Sequence, residues 1–297
     1  MRASLIQIAA DEDESVNSRR GRVASRVREV AAREGLEGDG LIVLPELWTT
    51  GAFAYRSFAA DAEPLEGPTY EAMAKAASEA GVWLHAGSIT ERAAPEGGAP
   101  EGGAPDGGSA EGEGAGKGAG EGALYNTSLV FSPDGELAAA YRKIHRFGFD
   151  KGEAVLMAAG TELATVRLPE TTLGLATCYD LRFPELFRGL VDAGAETLVI
   201  PAGWPERRRA HWTLLAQARA VENQAYVLAC GAVGTNGGVE QAGHSIVVDP
   251  WGEVLGEAGA GEEVLTVDLD LGKVARTREQ FPALKDRLLG VAAPDRA

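Results

Sequence analysis

The sequence contains few of the residues that build metal sites and disulfide frameworks. Its 297 residues include two cysteines, Cys178 and Cys230, and four histidines, and none of them falls in a CxxC or HExxH spacing. The common zinc and disulfide motifs are therefore excluded, and we expect no bound metal. We expect the two thiols to stay free in a reducing cytoplasm.

Basic residues and long apolar runs are also scarce. Lysine and arginine total 28 against 44 aspartate and glutamate residues, which gives a formal net charge of -16. This balance argues against nucleic acid or an anionic membrane as a partner, because both bind clustered positive charge. No run reaches the length of a membrane span, and the apolar start is too short for a secretory signal. We expect a soluble, cytoplasmic chain.

Large apolar side chains are absent between residues 93 and 122. The sequence Pro-Glu-Gly-Gly-Ala occurs there twice in tandem, and Gly, Ala, Ser and Glu continue after it. Such a segment cannot bury enough surface to offset its ordering entropy, so we predict a disordered insert. A strand pattern resumes directly afterwards, which favours a loop inside a single domain of residues 1–290, followed by a tail at 291–297.

Strand and helix patterns alternate in both halves of the remaining sequence. Apolar runs such as Leu41-Ile-Val-Leu44 are typical of strands buried on both faces, whereas Val23, Val27 and Val30 recur at helical spacing. The alternation predicts an α/β fold in which helices cover the sheets. We predict strands at 4–9, 40–46, 82–90, 125–131, 137–144, 164–168, 172–178, 197–201, 225–233, 244–248 and 263–268, and helices at 15–34, 68–80, 184–193 and 208–223.

One apolar run ends at a cysteine, where the pattern changes abruptly to a polar turn. The predicted strand 172–178 ends at Cys178, and Pro184 and Glu185 suit the first turn of the helix that follows. The thiol is then expected near unpaired backbone N–H groups, which favour a thiolate and bind an oxyanion. The alternative is a buried cysteine that only fills space, and this is the interpretation we favour for Cys230.

Three spaced segments stand out together. They are Leu44-Pro-Glu46-Leu-Trp-Thr-Thr-Gly51, Tyr141-Arg-Lys143-Ile-His-Arg-Phe147 and Thr177-Cys178-Tyr-Asp-Leu-Arg-Phe-Pro-Glu185. Their order and spacing resemble the Glu–Lys–Cys signature of the nitrilase superfamily of carbon–nitrogen hydrolases, and similar motifs continue to Phe281-Pro282. The resemblance implies a four-layer αββα sandwich, assembly into homodimers or larger homo-oligomers, and chemistry that needs no cofactor.

The resemblance also implies a role for each of these residues. Cys178 supplies the nucleophilic thiol, and Glu46 accepts its proton and later passes it to the leaving ammonia. Lys143 and the backbone N–H of Tyr179 face the oxyanion. A positive charge on Lys143 is also expected to favour the thiolate. Glu153 takes the place of a second glutamate and supports the substrate or Lys143.

Within the superfamily, the motifs look most like those of the omega-amidase branch. This implies hydrolysis of the terminal amide of a short dicarboxylate monoamide such as 2-oxoglutaramate or 2-oxosuccinamate. The substrate carboxylate then needs a cation beyond Lys143. The candidate substrate contacts are the arginines Arg146, Arg182 and Arg207 and the tryptophans Trp48 and Trp204. Alternatives remain, because Arg182 also suits an internal ion pair and the tryptophans suit core packing.

The Glu–Lys–Cys signature is also compatible with other functions. An N-carbamoyl amine hydrolase or a deaminated-glutathione-type amidase would use the three residues on another acyl group, and a bulky group would need a wider mouth. A non-enzymatic binding member of the family is a third alternative, which the presence of Glu46, Lys143 and Cys178 argues against. Nitrile hydrolysis is disfavoured, because Cys-Tyr-Asp resembles amidases more than the Cys-Trp-Glu form of nitrilases.

Overall fold

The computed structural model describes residues 1–94 and 122–289. The central part of the predicted disordered insert and the predicted tail at 291–297 lie outside these residues. The described residues contain two six-stranded sheets. The first sheet has the order β14-β1-β2-β3-β4-β5 and consists of β1 (Arg2–Gln7), β2 (Leu41–Val43), β3 (Trp83–Arg92), β4 (Leu124–Phe131), β5 (Leu137–Arg142) and β14 (Glu263–Asp268).

The second sheet is built from the C-terminal half of the chain. It has the order β13-β12-β9-β8-β7-β6 and consists of β6 (Thr165–Arg167), β7 (Thr172–Leu175), β8 (Thr197–Ala202), β9 (Tyr226–Gly231), β12 (Ile246–Val248) and β13 (Val254–Glu257). A two-stranded ribbon is formed by β10 (Thr235–Asn236) and β11 (Val239–Glu240). The helices are α1 (Val16–Glu34), α2 (Pro68–Ala80), α3 (Glu153–Leu156), α4 (Pro184–Asp192), α5 (Arg209–Asn223) and α6 (Gly272–Gln280), with 3₁₀ turns at Cys178–Arg182 and Glu206–Arg208.

Alternation along the central strands assigns each side chain to one of two cores. In β2, Leu41 and Val43 join the core shared by the two sheets, whereas Ile42 packs with α1 and α2 on the opposite face. This follows from the two-residue period of a strand. On the far side, the shared core continues through β8 and β9 to α4 and α5, which contribute Phe187 and Trp212. The layers are therefore helix, sheet, sheet and helix, which confirms the predicted αββα sandwich.

Helix α1 follows the predicted bounds because its ends carry suitable caps. The hydroxyl of Ser15 accepts a hydrogen bond from the Ser18 N–H at the start, and Gly35 ends the helix in the left-handed conformation at φ 63°. Both devices satisfy backbone groups that a helix leaves without partners. Val23, Val27 and Val30 are buried, as their spacing predicted.

The structure differs from the predicted elements in several places. The predicted strand 40–46 ends at Val43, and helix α3 and the ribbon of β10 and β11 were not predicted. The predicted strand 172–178 ends at Leu175, and Cys178 begins a 3₁₀ turn instead. Strand β13 and helix α6 were not predicted, because β13 is mostly exposed and α6 buries only Val274 and Thr277. Neither element shows the apolar periodicity from which such predictions are made. Within the two described ranges, no helix is long and apolar enough to cross a membrane.

His85, in β3, is a fully buried histidine. Its Nδ1 accepts a hydrogen bond from the Gly87 N–H at 3.2 Å, and its Nε2 has no partner among the described residues. Burial lowers the pKa of His85 to about 4 from the ordinary 6.5. Between these two values the unfolded chain binds the proton and the folded chain does not. Stability therefore falls as the pH drops through this window.

We predict that His85 destabilises the protein in mild acid by roughly 3 kcal/mol between pH 6.5 and pH 4, at 1.4 kcal/mol per pKa unit. The variant His85→Asn keeps an acceptor for the Gly87 N–H and removes the titrating group. Urea unfolding measured from pH 7.5 to pH 4 should show a shallower loss of the free energy of unfolding in the variant. Parallel curves for the two proteins would show that His85 does not contribute.

Candidate active site

The centre of the site is a lysine ammonium buried between two carboxylates. The Nζ of Lys143 donates to Oε1 of Glu46 and to Oε2 of Glu153, each at 2.7 Å. All three side chains are at most 4% exposed. Burial alone would lower the pKa of Lys143, but Glu153 and Glu46 hold it well above its ordinary value. The ammonium is therefore a permanent positive charge next to Cys178.

Asn126, in β4, connects the two carboxylates. Its Nδ2 donates to Glu46 Oε1 at 2.8 Å and to Glu153 Oε1. Sequence reasoning missed this residue, although a buried amide inside the apolar run of β4 was a usable signal. Burial raises the pKa of Glu153 above its ordinary value and is the largest effect. The positive charge of Lys143 lowers this pKa, and the negative charge of Glu46 raises it. Two carboxylates thus share one ammonium and one neutral amide.

Glu46 joins the two sheets at the site. It lies three residues beyond the end of β2, and its Oε2 accepts a hydrogen bond at 2.8 Å from the N–H of Gly203, directly after β8 in the other sheet. A Cβ at position 203 would lie 2.3 Å from the Cβ of Ala52, so glycine is required for this close approach. The carboxylate is consequently held by a donor from each side of the sandwich.

Cys178 is presented by a strained turn. Its φ is 48°, which is unusual for a residue with a side chain. The turn is fixed by Asp180, whose carboxylate accepts hydrogen bonds from the Thr177 N–H at 2.9 Å and from the Tyr141 hydroxyl at 2.7 Å. The N–H of Tyr179 lies in the first turn of this 3₁₀ segment, where backbone donors have no acceptor within the helix. A polar donor is thus available directly after the thiol.

The electrostatics of Cys178 correct one prediction. Burial raises the pKa of the thiol well above its ordinary value, Glu46 raises it further, and the opposing effect of Lys143 is smaller. The net effect of the site therefore favours the protonated thiol rather than the expected thiolate, although Lys143 lowers the pKa as predicted. The thiol keeps its proton and lies close to the Glu46 carboxylate, which is placed to receive that proton when the nucleophile is needed.

A narrow cavity of about 20 Å³ opens above these residues. Of the predicted substrate contacts, Arg182 and Trp204 line it, with the Arg182 guanidinium 4.8 Å from the centre of the Trp204 ring. Arg182 also hydrogen-bonds to Nδ1 of His211 at 3.3 Å, so it is held by an imidazole and an indole. The cavity wall further includes Phe53, Phe147, Tyr179 and Arg208.

Three predicted substrate contacts lie elsewhere. Trp48 is buried in the core between the first sheet and its helices, where its Nε1 donates to the Ala86 carbonyl at 2.8 Å. The guanidinium of Arg146 donates to the carbonyls of Ala154 and Met157. Arg207 is exposed and outside the cavity wall. The structure does not place these three side chains on the cavity wall, because sequence position does not give the direction of a side chain, whereas Arg208, which was not predicted, lines the cavity.

Comparison with known proteins identifies the family. A family model described as carbon-nitrogen hydrolase matches residues 2–279. The chain belongs to the carbon-nitrogen hydrolases. The resemblance inferred from the three sequence segments is thereby confirmed.

Two similar proteins extend over nearly the whole of this carbon-nitrogen hydrolase. The 2-oxoglutaramate amidase of Paenarthrobacter nicotinovorans is 39% identical over 289 residues, which cover 95% of this chain and 87% of that protein. Omega-amidase NIT2 of Homo sapiens is 34% identical over 294 residues, which cover 96% and 94%. Both relatives therefore match across the two sheets and the site.

Solved structures show the same architecture. Nit3 of Saccharomyces cerevisiae, a member of branch 10 of the nitrilase superfamily, superposes with a TM-score of 0.77 at 26% identity, covering 96% of each chain. XC1258 of Xanthomonas campestris, a CN-hydrolase superfamily protein with an arsenic adduct in its active site, gives a TM-score of 0.79 at 28% identity, covering 98% of each chain. The αββα sandwich is thus the fold of this family.

The bridging amide of Asn126 can be tested with two substitutions of similar size. Asn126→Leu removes one neutral donor from the buried Glu46 and Glu153, and we expect kcat to fall about 10- to 100-fold, since an unsatisfied buried acceptor costs about 1–3 kcal/mol. Asn126→Asp adds a third carboxylate around one ammonium and should be worse in both kcat and the free energy of unfolding at pH 7.5. Equal effects of the two variants would show that Asn126 only fills space.

The raised pKa of Cys178 predicts slow alkylation at neutral pH. Only the thiolate reacts, so the rate with iodoacetamide should be low at pH 7 and should still rise above pH 9. Cys230 is fully buried and should react only after denaturation. Mass spectrometry of the native protein and of Cys178→Ala locates the label. A rate that levels off below pH 8 would contradict the raised pKa.

Proposed function

We propose that this carbon-nitrogen hydrolase is an amidase that hydrolyses the terminal amide of a short dicarboxylate monoamide, such as 2-oxoglutaramate or 2-oxosuccinamate. The products are the corresponding acid and ammonia. The observation that carries the proposal is the contact of Glu46 with the Lys143 ammonium and the Gly203 N–H beside the Cys178 thiol. The similarity to proteins named 2-oxoglutaramate amidase and omega-amidase supports the choice of substrate.

The acylation step begins with the neutral thiol. Glu46 accepts the proton of Cys178 as the sulfur attacks the amide carbon, so a C–S bond forms and the carbonyl oxygen becomes an oxyanion. Lys143 and the N–H of Tyr179 stabilise this oxyanion. The protonated Glu46 then gives its proton to the amide nitrogen. The C–N bond breaks, ammonia leaves, and a thioester remains on Cys178.

The deacylation step uses the same carboxylate. Once ammonia has left, Glu46 accepts a proton from a water molecule, whose oxygen attacks the thioester carbon. The C–S bond breaks, the sulfur recovers the proton, and the acid is released. Each step thus uses Glu46 once as a base and once as an acid, and no cofactor enters either half.

Glu153 acts through Lys143. Its Oε2 accepts hydrogen bonds from Nζ of Lys143 and, at 2.9 Å, from the N–H of Phe147. The hydrogen bond from Lys143 holds the ammonium towards the position of the oxyanion. The hydrogen bond from Phe147 positions this residue, whose ring forms part of the cavity wall. Glu153 is therefore a positioning residue in this proposal.

The cavity favours a short acyl group among the alternatives. The cavity volume of about 20 Å³ is far below the roughly 300–1,000 Å³ of typical small-molecule sites. This fits a five-carbon monoamide better than the bulkier acyl group of a deaminated-glutathione-type amidase. An N-carbamoyl amine hydrolase would use the same residues, but the two arginines of the cavity wall favour an anionic substrate.

The proposal includes a compartment and an assembly. Both cysteines are free, which suits the reducing cytoplasm. Leu214 and Val221, one heptad apart on α5, are 64% and 51% exposed, and Trp251 and Phe281 are exposed and in ring contact at 6.2 Å. Exposed apolar side chains of this size favour contact with another protein surface. We assign that surface to a second copy of this chain, as expected for a homodimer or larger homo-oligomer.

Ammonia release by the purified protein tests the proposed activity. We expect turnover of 2-oxoglutaramate and 2-oxosuccinamate and little turnover of glutamine, an N-carbamoyl amine or a simple nitrile. Cys178→Ala should lower kcat by about 10⁴-fold or more, because no thioester can form, and Glu46→Gln by about 10²- to 10⁴-fold. Ammonia release from the N-carbamoyl amine alone would show that the protein is an N-carbamoyl amine hydrolase. Activity that persists in Cys178→Ala would overturn the mechanism.

A further inference from the structure

Arg208 has a buried hydrogen-bond donor without a partner beside the proposed catalytic cluster. It lines the same cavity as Cys178 and Lys143. Its Nη1 is buried, yet it donates to none of the described residues. A buried guanidinium N–H without an acceptor is costly, and such groups are rare unless a ligand or water completes them.

The Arg208 side chain is nevertheless held in place. The Nε1 of Trp204 donates to the Arg208 carbonyl at 2.8 Å, which fixes the backbone at the end of the 3₁₀ turn. The guanidinium lies over the ring of Phe147, 5.4 Å from its centre. Because the Phe147 N–H donates to Glu153, this aromatic support is itself connected to the buried ion cluster. Arg208 is therefore positioned relative to the thiol.

Among the described residues, no carboxylate forms an ion pair with Arg208, although Glu46 and Glu153 line the same cavity. Burial lowers its pKa, and the positive charges of Arg207 and Arg182 lower it further. In the part of the chain that the structure describes, no carboxylate contributes to this shift. The cavity wall of a strongly acidic protein thus carries two neighbouring positive side chains. An anion bound between them would relieve their repulsion and accept the unused donor.

We propose that Arg208 binds the carboxylate of the substrate and makes this hydrolase specific for amides that carry a negative charge at the opposite end. The inference rests on the proposed amidase function and adds a residue to it. With the amide carbon at Cys178, the chain of a short dicarboxylate monoamide extends along the cavity to Arg208. Its guanidinium then offers two parallel N–H groups to the two carboxylate oxygens.

A purely structural role for Arg208 predicts a different pattern of effects. Packing over Phe147 would matter equally for every substrate. Binding of a carboxylate matters only for substrates that have one, and it acts mainly on KM, because the contact is the same in the ground state and the transition state. The two roles are therefore separable by a pair of substrates and a pair of variants.

The variants are Arg208→Gln and its neighbour Arg207→Gln, which removes the same charge from an exposed position outside the cavity. The substrates are glutaramate and pentanamide, in which a methyl group replaces the carboxylate. In Arg208→Gln we expect kcat/KM for glutaramate to fall about 10- to 100-fold, mainly through KM, with less than about a twofold change for pentanamide. Arg207→Gln should match the unchanged protein on both. Equal losses on both amides, or no loss, would overturn the proposal.

The variant Arg208→Lys is a control for a folding defect in Arg208→Gln. It keeps the positive charge and loses the planar fork, so an intermediate KM for glutaramate is expected if the carboxylate is bound there. If Arg208→Lys and Arg208→Gln lose the same activity on both amides, the role is structural.

A binding measurement separates this inference from the proposed activity. Pentanoate should slow the alkylation of Cys178 by iodoacetamide in the unchanged protein and in Arg207→Gln, but not in Arg208→Gln. If no amide releases ammonia and this protection pattern holds, the proposed activity fails and the Arg208 anion site stands. If the amides are hydrolysed and pentanoate protects all three proteins equally, the activity stands and the assignment of Arg208 fails.

Discussion

The structure depends on one lysine ammonium held away from water between two carboxylates. Charges are costly to bury unless each is paired and every remaining donor and acceptor is satisfied. Lys143 meets Glu46 and Glu153, and the two carboxylates accept further hydrogen bonds from the side chain of Asn126 and from the N–H groups of Gly203 and Phe147. These donors belong to different segments, so the cluster forms only when all of them have reached their final positions.

This requirement explains why the site lies between the two sheets. Glu46 follows a strand of one sheet and takes a hydrogen bond from the residue after a strand of the other. The apolar core shared by the sheets holds these strand ends together, and the absence of a side chain at Gly203 lets the backbones approach. Core packing and catalytic geometry are therefore two aspects of one arrangement. The pKa of Cys178 follows from it, since the thiol is buried beside Glu46.

The fold and the three central residues were predictable because their patterns are local or carry a family signature. Buried strands and capped helices follow from apolar periodicity, and the three segments around Glu46, Lys143 and Cys178 led to the family. Side-chain direction was not predictable. In the run 207–209, three consecutive arginines differ only by their angle in a turn, and the structure exposes the first, turns the second into the cavity and pairs the third with Glu257 at 3.7 Å. Asn126 was missed because its partners lie far from it in sequence.

The imbalance of two carboxylates against one ammonium also bears on the release of the product in the proposed reaction. In the proposed reaction the amide group that reaches Cys178 is neutral, whereas hydrolysis forms a carboxylate next to Glu46, which shares Lys143 with Glu153. Like charges at such short range repel strongly when water is excluded. The newly formed anion is repelled towards the mouth of the cavity. An acid that enters from solution is repelled by the same carboxylates. The cluster that activates the thiol thus also weakens the binding of the acid product.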